Sequence, residues 1–289
     1  ARDCRFHPVE VRPQLPDAKG WPVRIAIIAG QGCLPAALAH SMSEPPLVAA
    51  LDGFAPDGLT VDLRFRVERL VPFLRALERD GIDQVIFAGA VTRPRLDPAL
   101  LDEATAALLP RLMGAMAQGD DATLRVVIDL FEEYGFAVAG VKDVAPSLLP
   151  GAGILAGSVT PRDEADATRA ADIVRALGAV DVGQGAVVAQ GLCLGVEALP
   201  GTDALLTQVA AIGALRPDPS RGKGVFYKAA KSGQDRRIDL PTIGPDTLRG
   251  VADAGLAGVA FEAGAVICLD LDGMKHLAGE LGLFLWARE

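Results

Sequence analysis

The sequence predicts an α/β protein of two α/β domains, the first a Rossmann-like, doubly wound parallel sheet and the second built on a mixed sheet. Three observations carry this. Short apolar runs alternate with amphipathic helical stretches from Val23 onward, the pattern of strands buried on both faces. A Pro- and Gly-rich stretch, PSLLPGAG at 146–153, reads as a linker. Beyond it, two apolar runs meet at Gln190-Gly191 as a hairpin, which puts antiparallel pairing into the second half. The expected boundaries are 1–22 for an extension, 23–150 for the first domain and 151–289 for the second.

In order along the chain, VRIAIIA at 23–29 is a buried strand stopped by Gly30-Gln31-Gly32. Residues 34–42 form a helix with Pro35 tolerated in its first turn, and 47–51 a second strand. Leu70, Phe73, Leu74 and Leu77 make a helical stripe over 67–79, ended by Gly81. QVIFA at 84–88 is a third strand closed by Gly89. Helices are expected at 100–118 and 122–134, with Asp121 as a cap for the second. In the second half, helices are expected at 162–177, 202–212, 245–254 and 271–281. Strands are expected at 185–198 (the hairpin), 224–229, 237–240, 257–261, 265–269 and 283–286. Internal repeats and low-complexity tracts are missing.

Bulk properties narrow the function. Half of the 289 residues are hydrophobic, enough for a substantial core. A net charge of -9 speaks against nucleic acid as the partner and against a polybasic membrane patch. No apolar run reaches the ~18 residues of a membrane span, and the arm at 1–21 lacks the apolar centre of a signal peptide. Cys4, Cys33, Cys193 and Cys268 form no C-x-x-C pair and read as three core thiols and one in the arm, which fits a reducing cytosol.

Several residues have chemistry to offer. Gly30-Gln31-Gly32 opens a helix after a strand, where backbone can approach a phosphate; it is otherwise a plain turn. It lacks the third glycine of a dinucleotide fingerprint, since position 35 is proline, although Asp52 stands where such a site wants an acid. Thr92 and Arg93 lie past the third strand, where ligands bind in open sheets, with a solvated Arg93 as the alternative. Asp120-Asp121 starts a helix or holds a metal or hydroxyl. Gln184, Glu197, Thr202 and Asp203 cluster around the hairpin, where a glutamate among apolar residues needs a partner; Thr202 or Asp203 could simply cap. Lys228 and Lys231 could neutralise a pyrophosphate or sit in a solvated loop. Asp239, between apolar neighbours before a proline, is paired with Arg236 or Arg237, or else is a metal ligand or general base. With His7, His40 and His276 as the only histidines, a His-rich dinuclear centre is excluded, and no H-E-x-x-H, G-x-S-x-G or P-loop motif occurs. A hydrolase here would use a hard, oxygen-bound cation, Mg²⁺ being the natural one.

The stretches IAGQGCLP (28–35), FAGAVTRP (87–94), GDDATLR (119–125), VGQGAVVAQGLCLGVEALPGTDALL (182–206), IDLPTIG (238–244), GLAGVAFEAG (255–264) and LGLFLW (281–286), in this order, resemble the LpxI family of UDP-2,3-diacylglucosamine pyrophosphatases of lipid A synthesis. The likeness spans about residues 23–287 and departs from the family pattern at Gln31 and at Ala90, where a glycine and an asparagine are usual. It implies Mg²⁺-dependent (Mn²⁺ as substitute) attack of water on the α-phosphorus of UDP-2,3-diacylglucosamine, giving UMP and lipid X. It also implies a cleft between the two domains, work at the cytoplasmic face of a Gram-negative inner membrane, and a homodimer. Asp239 occupies the family's catalytic aspartate position. The expected substrate contacts are Gly30, Gln31, Gly32, Gly89, Thr92, Arg93, Asp120, Asp121, Gln184, Glu197, Thr202, Asp203, Lys228, Lys231 and Thr242. Against this stand an NAD(P)-dependent oxidoreductase, suggested by the first glycine turn, and a non-catalytic lipid or nucleotide carrier.

Overall fold

The computed structural model describes residues 23–92, 94–216, 218–231, 235–238 and 240–289, without the side chains of residues 120, 121 and 214. The chain divides into two compact units between Pro146 and Ser147.

The first unit runs β1 (Ile25–Ala29), α1 (Leu34–Ser41), β2 (Leu47–Leu51), β3 (Leu63–Phe65), α2 (Leu70–Arg79), β4 (Gln84–Ala88), α3 (Glu103–Ala106), α4 (Leu109–Met116), α5 (Asp120–Glu133), β5 (Ala137–Val138) and α6 (Val141–Val144). Its described strands form one parallel sheet in the order β3-β2-β1-β4-β5, so the chain starts at the centre and winds outward both ways. The switch of direction lies between β1 and β4, which places Gly30 and Gly89 side by side at the carboxyl edge. β1 is buried along its whole length, as a central parallel strand must be. An aromatic cluster packs beside the sheet: Phe131 of α5 meets Phe87 of β4 edge-on at 5.1 Å and Phe73 of α2 at 6.4 Å.

The second unit runs β6 (Gly153–Ala156), α7 (Pro161–Gly178), β7 (Gly185–Ala189), β8 (Leu192–Val196), α8 (Gly201–Ala211), β9 (Val225–Lys228), β10 (Thr242–Ile243), α9 (Pro245–Asp253), β11 (Gly258–Glu262), β12 (Ile267–Cys268), α10 (Leu271–Leu281) and β13 (Phe284–Arg288). Its main sheet, in the order β6-β13-β11-β9-β7-β8, is mixed: β9, β11 and β13 are parallel, while β6 and β7 run against them. Alternation along β9 feeds two cores. Phe226 joins α8, α9 and α10 on one face, and Tyr227 joins Ala167, Ala170 and Val174 of α7 on the other. The β7–β8 hairpin turns on Gln190 (φ 52) and Gly191 (φ 79), a two-residue turn with both residues left-handed. Asp166 of α7, 2% exposed, holds that turn by accepting from the backbone N–H groups of Gln190 and Gly191 at 2.9 and 2.7 Å.

Several expectations are corrected. The single helix over 100–118 is broken into α3 and α4. Asp102 takes the Ala104 and Thr105 N–H groups as a cap and so begins a new helix, and Pro110 cannot continue the preceding one. Asp121 is not the cap of α5: the helix begins at Asp120 behind Gly119. Nor do Thr202 and Asp203 cap α8, whose cap position is Pro200. The expected strand at 237–240 is a turn at 236–238, because Asp235 accepts from the Arg237 N–H at 3.0 Å and curls the chain; the strand here is the short β10. β3 and β5 are too short to leave a periodic signal. Of the expected core thiols, Cys268 is buried, Cys193 is exposed and Cys33 is disulfide-bonded.

Two outcomes follow from this packing. Phe131→Ala removes a ring that is 1% exposed and should cost about 3–5 kcal/mol in a urea unfolding curve. Burial pushes the Cys268 thiol up to about 12, so peptide mapping after alkylation at pH 8 should find Cys193 labelled and Cys268 untouched until the chain is unfolded.

Candidate active site

In the second unit, polar side chains gather at the carboxyl ends of the parallel strands. Register puts Gly185, at the start of β7, opposite Lys228, at the end of β9. Lys228 shares the face of Phe226, and so emerges under the first turn of α8. Its ammonium donates to Thr202 Oγ1 at 2.5 Å and to Glu197 Oε1 at 3.2 Å, and Thr202 donates to the same carboxylate oxygen at 3.1 Å. The Lys228 and Glu197 side chains are 7% and 12% exposed, so this is a nearly dry ion pair. Glu197 Oε2 is buried with no hydrogen-bond partner among the described residues.

Two glycines make room for this. A Cβ at Gly183 would overlap the Glu197 carbonyl oxygen, and one at Gly185 would stand 2.6 Å from Glu197 Oε2. The Glu197 N–H donates to the Gly185 carbonyl at 2.8 Å, which fixes the crossing. Gln184 lies between them, its carbonyl accepting from the Ala229 N–H at 3.0 Å. A second carboxylate, Glu262 at the end of β11, takes the Ala230 N–H at 3.2 Å and Arg236 at 2.9 Å.

The loop leaving β9 carries the remaining candidates. Lys231 pairs with Asp181 at 2.5 Å, away from the Lys228 cluster. Thr242 is in β10, half-buried, paired with Ile267. Asp203 is exposed in the first turn of α8. Asp239 lies outside the described residues. Of the arginines weighed as its partners, Arg236 is paired with Glu262 and Arg237 with Asp235 at 2.8 Å. Among the described residues no group of three or more His, Cys, Asp or Glu side chains stands ready to hold a metal.

In the first unit, the two glycine turns are joined to each other. Gln31 and Ala90 form an antiparallel bridge, with the Gln31 N–H donating to Ala90 at 2.9 Å and the Ala90 N–H donating back at 3.0 Å. A Cβ at Gly30 would fall 2.6 Å from the Ala90 oxygen, and one at Gly89 2.7 Å from the Gln31 oxygen. These two glycines therefore serve close approach of backbone to backbone, and the Gln31 and Ala90 N–H groups are already spent. The positions where the chain departs from the family pattern are the two that make this bridge. Because it uses only main-chain atoms, it tolerates either side chain. Gly32 (φ 91) pairs with Pro56 and accepts from the Asp57 N–H at 3.1 Å. Thr92 is exposed. Arg93, like the side chains of Asp120 and Asp121, lies outside the described residues.

The sequence reading missed Glu68 and Asp166, buried carboxylates that nothing in a helical or irregular stretch singles out. Burial raises the Glu68 pKa, but the Asp97 N–H (2.7 Å) and Arg66 outweigh it, and the group is held below the usual carboxylate range.

Fold and site together define a two-unit α/β protein with a buried ammonium–carboxylate pair at the carboxyl edge of its second sheet. Residues 24–148 match the LpxI N-terminal domain family and 151–286 the LpxI C-terminal domain family. A UDP-2,3-diacylglucosamine pyrophosphatase LpxI of Caulobacter vibrioides is 40% identical over 270 residues, 91% of this chain and 96% of that protein. The chain belongs to the LpxI family.

The pair itself can be weighed. Lys228→Met leaves the Glu197 charge buried without its counterion and should cost about 3–5 kcal/mol in chemical denaturation. Adding Glu197→Gln to that variant should recover part of the loss; no recovery would mean the two groups are not coupled.

Proposed function

We propose that this chain hydrolyses the pyrophosphate of UDP-2,3-diacylglucosamine, releasing UMP and 2,3-diacylglucosamine 1-phosphate. The observation that carries the reading is likeness to a protein of that name along nine-tenths of the chain. The chemistry of the second unit supports it. A diphosphate needs positive charge where its bridging oxygen will leave, and Lys228 is an ammonium held almost dry at a strand end, where its field is strong.

In the proposed reaction, water attacks the α-phosphorus and the bond to the bridging oxygen breaks. That oxygen leaves with the electron pair as part of the sugar 1-phosphate. Lys228, paired with Glu197, faces the developing negative charge. Asp239 orients the water or holds the cation, as the family resemblance implies. Mg²⁺, with Mn²⁺ as substitute, belongs to this proposal: it needs one or two carboxylates and substrate phosphates rather than a closed protein cage. Glu197 Oε2, buried and unpartnered among the described residues, fits as one such carboxylate oxygen. When bound, the cation would supply charge stabilisation for the diphosphate and a more acidic water.

The acylated substrate sits in a membrane, so transient contact with the cytoplasmic face of the inner membrane of a Gram-negative cell is part of the reading, as is a homodimer. Among the described residues no helix is long and apolar enough to cross a membrane.

Purified chain with Mg²⁺ should release UMP from UDP-2,3-diacylglucosamine, and EDTA should stop it. Asp239→Ala should keep the wild-type melting temperature and lose turnover by roughly 10²-fold or more. UMP release at the wild-type rate from that variant would remove Asp239 from the mechanism.

A further inference from the structure

We infer that the turn at 198–201 of the second unit is a membrane-docking tip: Leu199, with apolar residues beside it, enters the surface of a phospholipid bilayer and sets the Lys228–Glu197 cluster against it. The inference rests on the reading of the substrate as a lipid. It names the surface of the second unit that meets the membrane.

The distribution of exposed apolar side chains singles out this turn. Hydrophobics scattered singly over a surface need no explanation, whereas a cluster does. Among the described residues eleven large hydrophobics are exposed, and four of them, Val180, Val182, Val196 and Leu199, fall in two short stretches of chain. The two stretches meet at Gly183, where a Cβ would overlap the Glu197 carbonyl oxygen and stand 3.5 Å from the Ala198 nitrogen. Met113, Ile154, Leu215 and Leu281, by contrast, lie on four different elements.

Local structure explains why the tip points outward and what it stands on. The Gly201 N–H donates to the Ala198 carbonyl at 2.9 Å, which leaves Leu199 and Pro200 at the centre of a tight turn. Turn centres draw Gly, Pro, Asn, Asp and Ser. A leucine there does nothing for the turn, and at 99% exposure it does nothing for the core. The base of the turn is the candidate site itself. Glu197 precedes the turn and Thr202 follows it, and Thr202 Oγ1 donates to Glu197 Oε1 at 3.1 Å while Lys228 donates to both. A loop closed at its base by a nearly dry ion pair holds its tip out.

A bilayer is the occupant that fits. The proposed substrate carries acyl chains and lies in one, so the site works at a lipid surface. A projecting leucine with a few valines beside it can enter a fluid apolar phase, whereas a stable interface with a second copy or another protein takes about 20–30 residues a side. Charge points to the same mode. Asp203 is exposed in the first turn of α8, and Lys231 is paired with Asp181, so the described rim offers no basic cluster to anionic headgroups. Attachment is by apolar insertion, weak and reversible, without need of anionic lipid.

Sedimentation of the full chain with vesicles of phosphatidylcholine and phosphatidylethanolamine, with and without phosphatidylglycerol, tests this. Wild type should pellet with both, at low salt and in about 0.5 M salt, where exposed charges are screened. Leu199→Asp should melt with wild type and bind vesicles about tenfold or more weakly, the scale of one leucine kept out of an apolar phase. Leu215→Asp, at another exposed leucine of the same unit, should bind as wild type does. In Leu199→Trp the added indole should shift to the blue on vesicle addition and be quenched by brominated acyl chains, beyond any change in wild type. No vesicle binding by wild type, binding that needs phosphatidylglycerol and disappears in salt, equal loss in the two aspartate variants, or an indole that brominated lipid does not reach would each overturn the inference. So would a dimer that Leu199→Asp splits while vesicle binding persists. The two readings fail separately, with UMP release measured on detergent-dispersed substrate. Hydrolysis there without vesicle binding loses only the docking tip, and vesicle binding without hydrolysis loses only the activity.

Discussion

The second unit is organised by the burial of one ammonium against one carboxylate. Removing Lys228 and Glu197 from water carries a penalty of several kcal/mol per ion, recovered only because the two charges meet and Thr202 shares the same oxygen. Meeting it requires the end of β8, the start of β7, the end of β9 and the first turn of α8 to converge within hydrogen-bond distance. Gly183 and Gly185 exist in that arrangement because any side chain there would collide with Glu197. Exposed pairs such as Arg175–Asp172 and Arg249–Asp246 impose no comparable constraint, since water competes for both partners.

The first unit solves a different problem at the same edge of its sheet. Strand order brings the turns after β1 and β4 together, and two main-chain hydrogen bonds between Gln31 and Ala90 lock them. Because the lock is main-chain, the demand on sequence falls on Gly30 and Gly89, where there is no room for a Cβ, and not on the residues that form the bonds. A glycine turn that looks like a phosphate cradle is here, in large part, a joint.

Much of the architecture was legible because its signals are local. Buried parallel strands announce themselves as unbroken apolar runs, as at 25–29 and 84–88. The Gln190-Gly191 hairpin, the α10 helix and the α/β alternation could be read from single windows. The failures share a cause. Asp102 splits a helical stretch because its carboxylate takes two backbone N–H groups, and Asp235 curls a strand-like stretch by taking one from Arg237. Composition reveals that a carboxylate is present, not which donor it will choose. The site was legible in part for the same reason. Gln184, Glu197, Thr202 and Lys228 were named and do come together, whereas Lys231, named with them, turns to Asp181.

The sequence alone determined the two α/β halves, the glycine turns after the strands, the residues able to carry charge at strand ends, and the family they resemble. Periodicity and motif spacing are properties of neighbours along the chain, so they survive without coordinates. Only the tertiary structure decided which charges pair: that Glu197 keeps one oxygen unpartnered among the described residues, that Glu68 takes the Asp97 N–H, and that Gln31 spends its N–H on Ala90. Pairing depends on distances across the fold and on exclusion of water, and residues 31 positions apart, such as Glu197 and Lys228, acquire both only when the sheet closes.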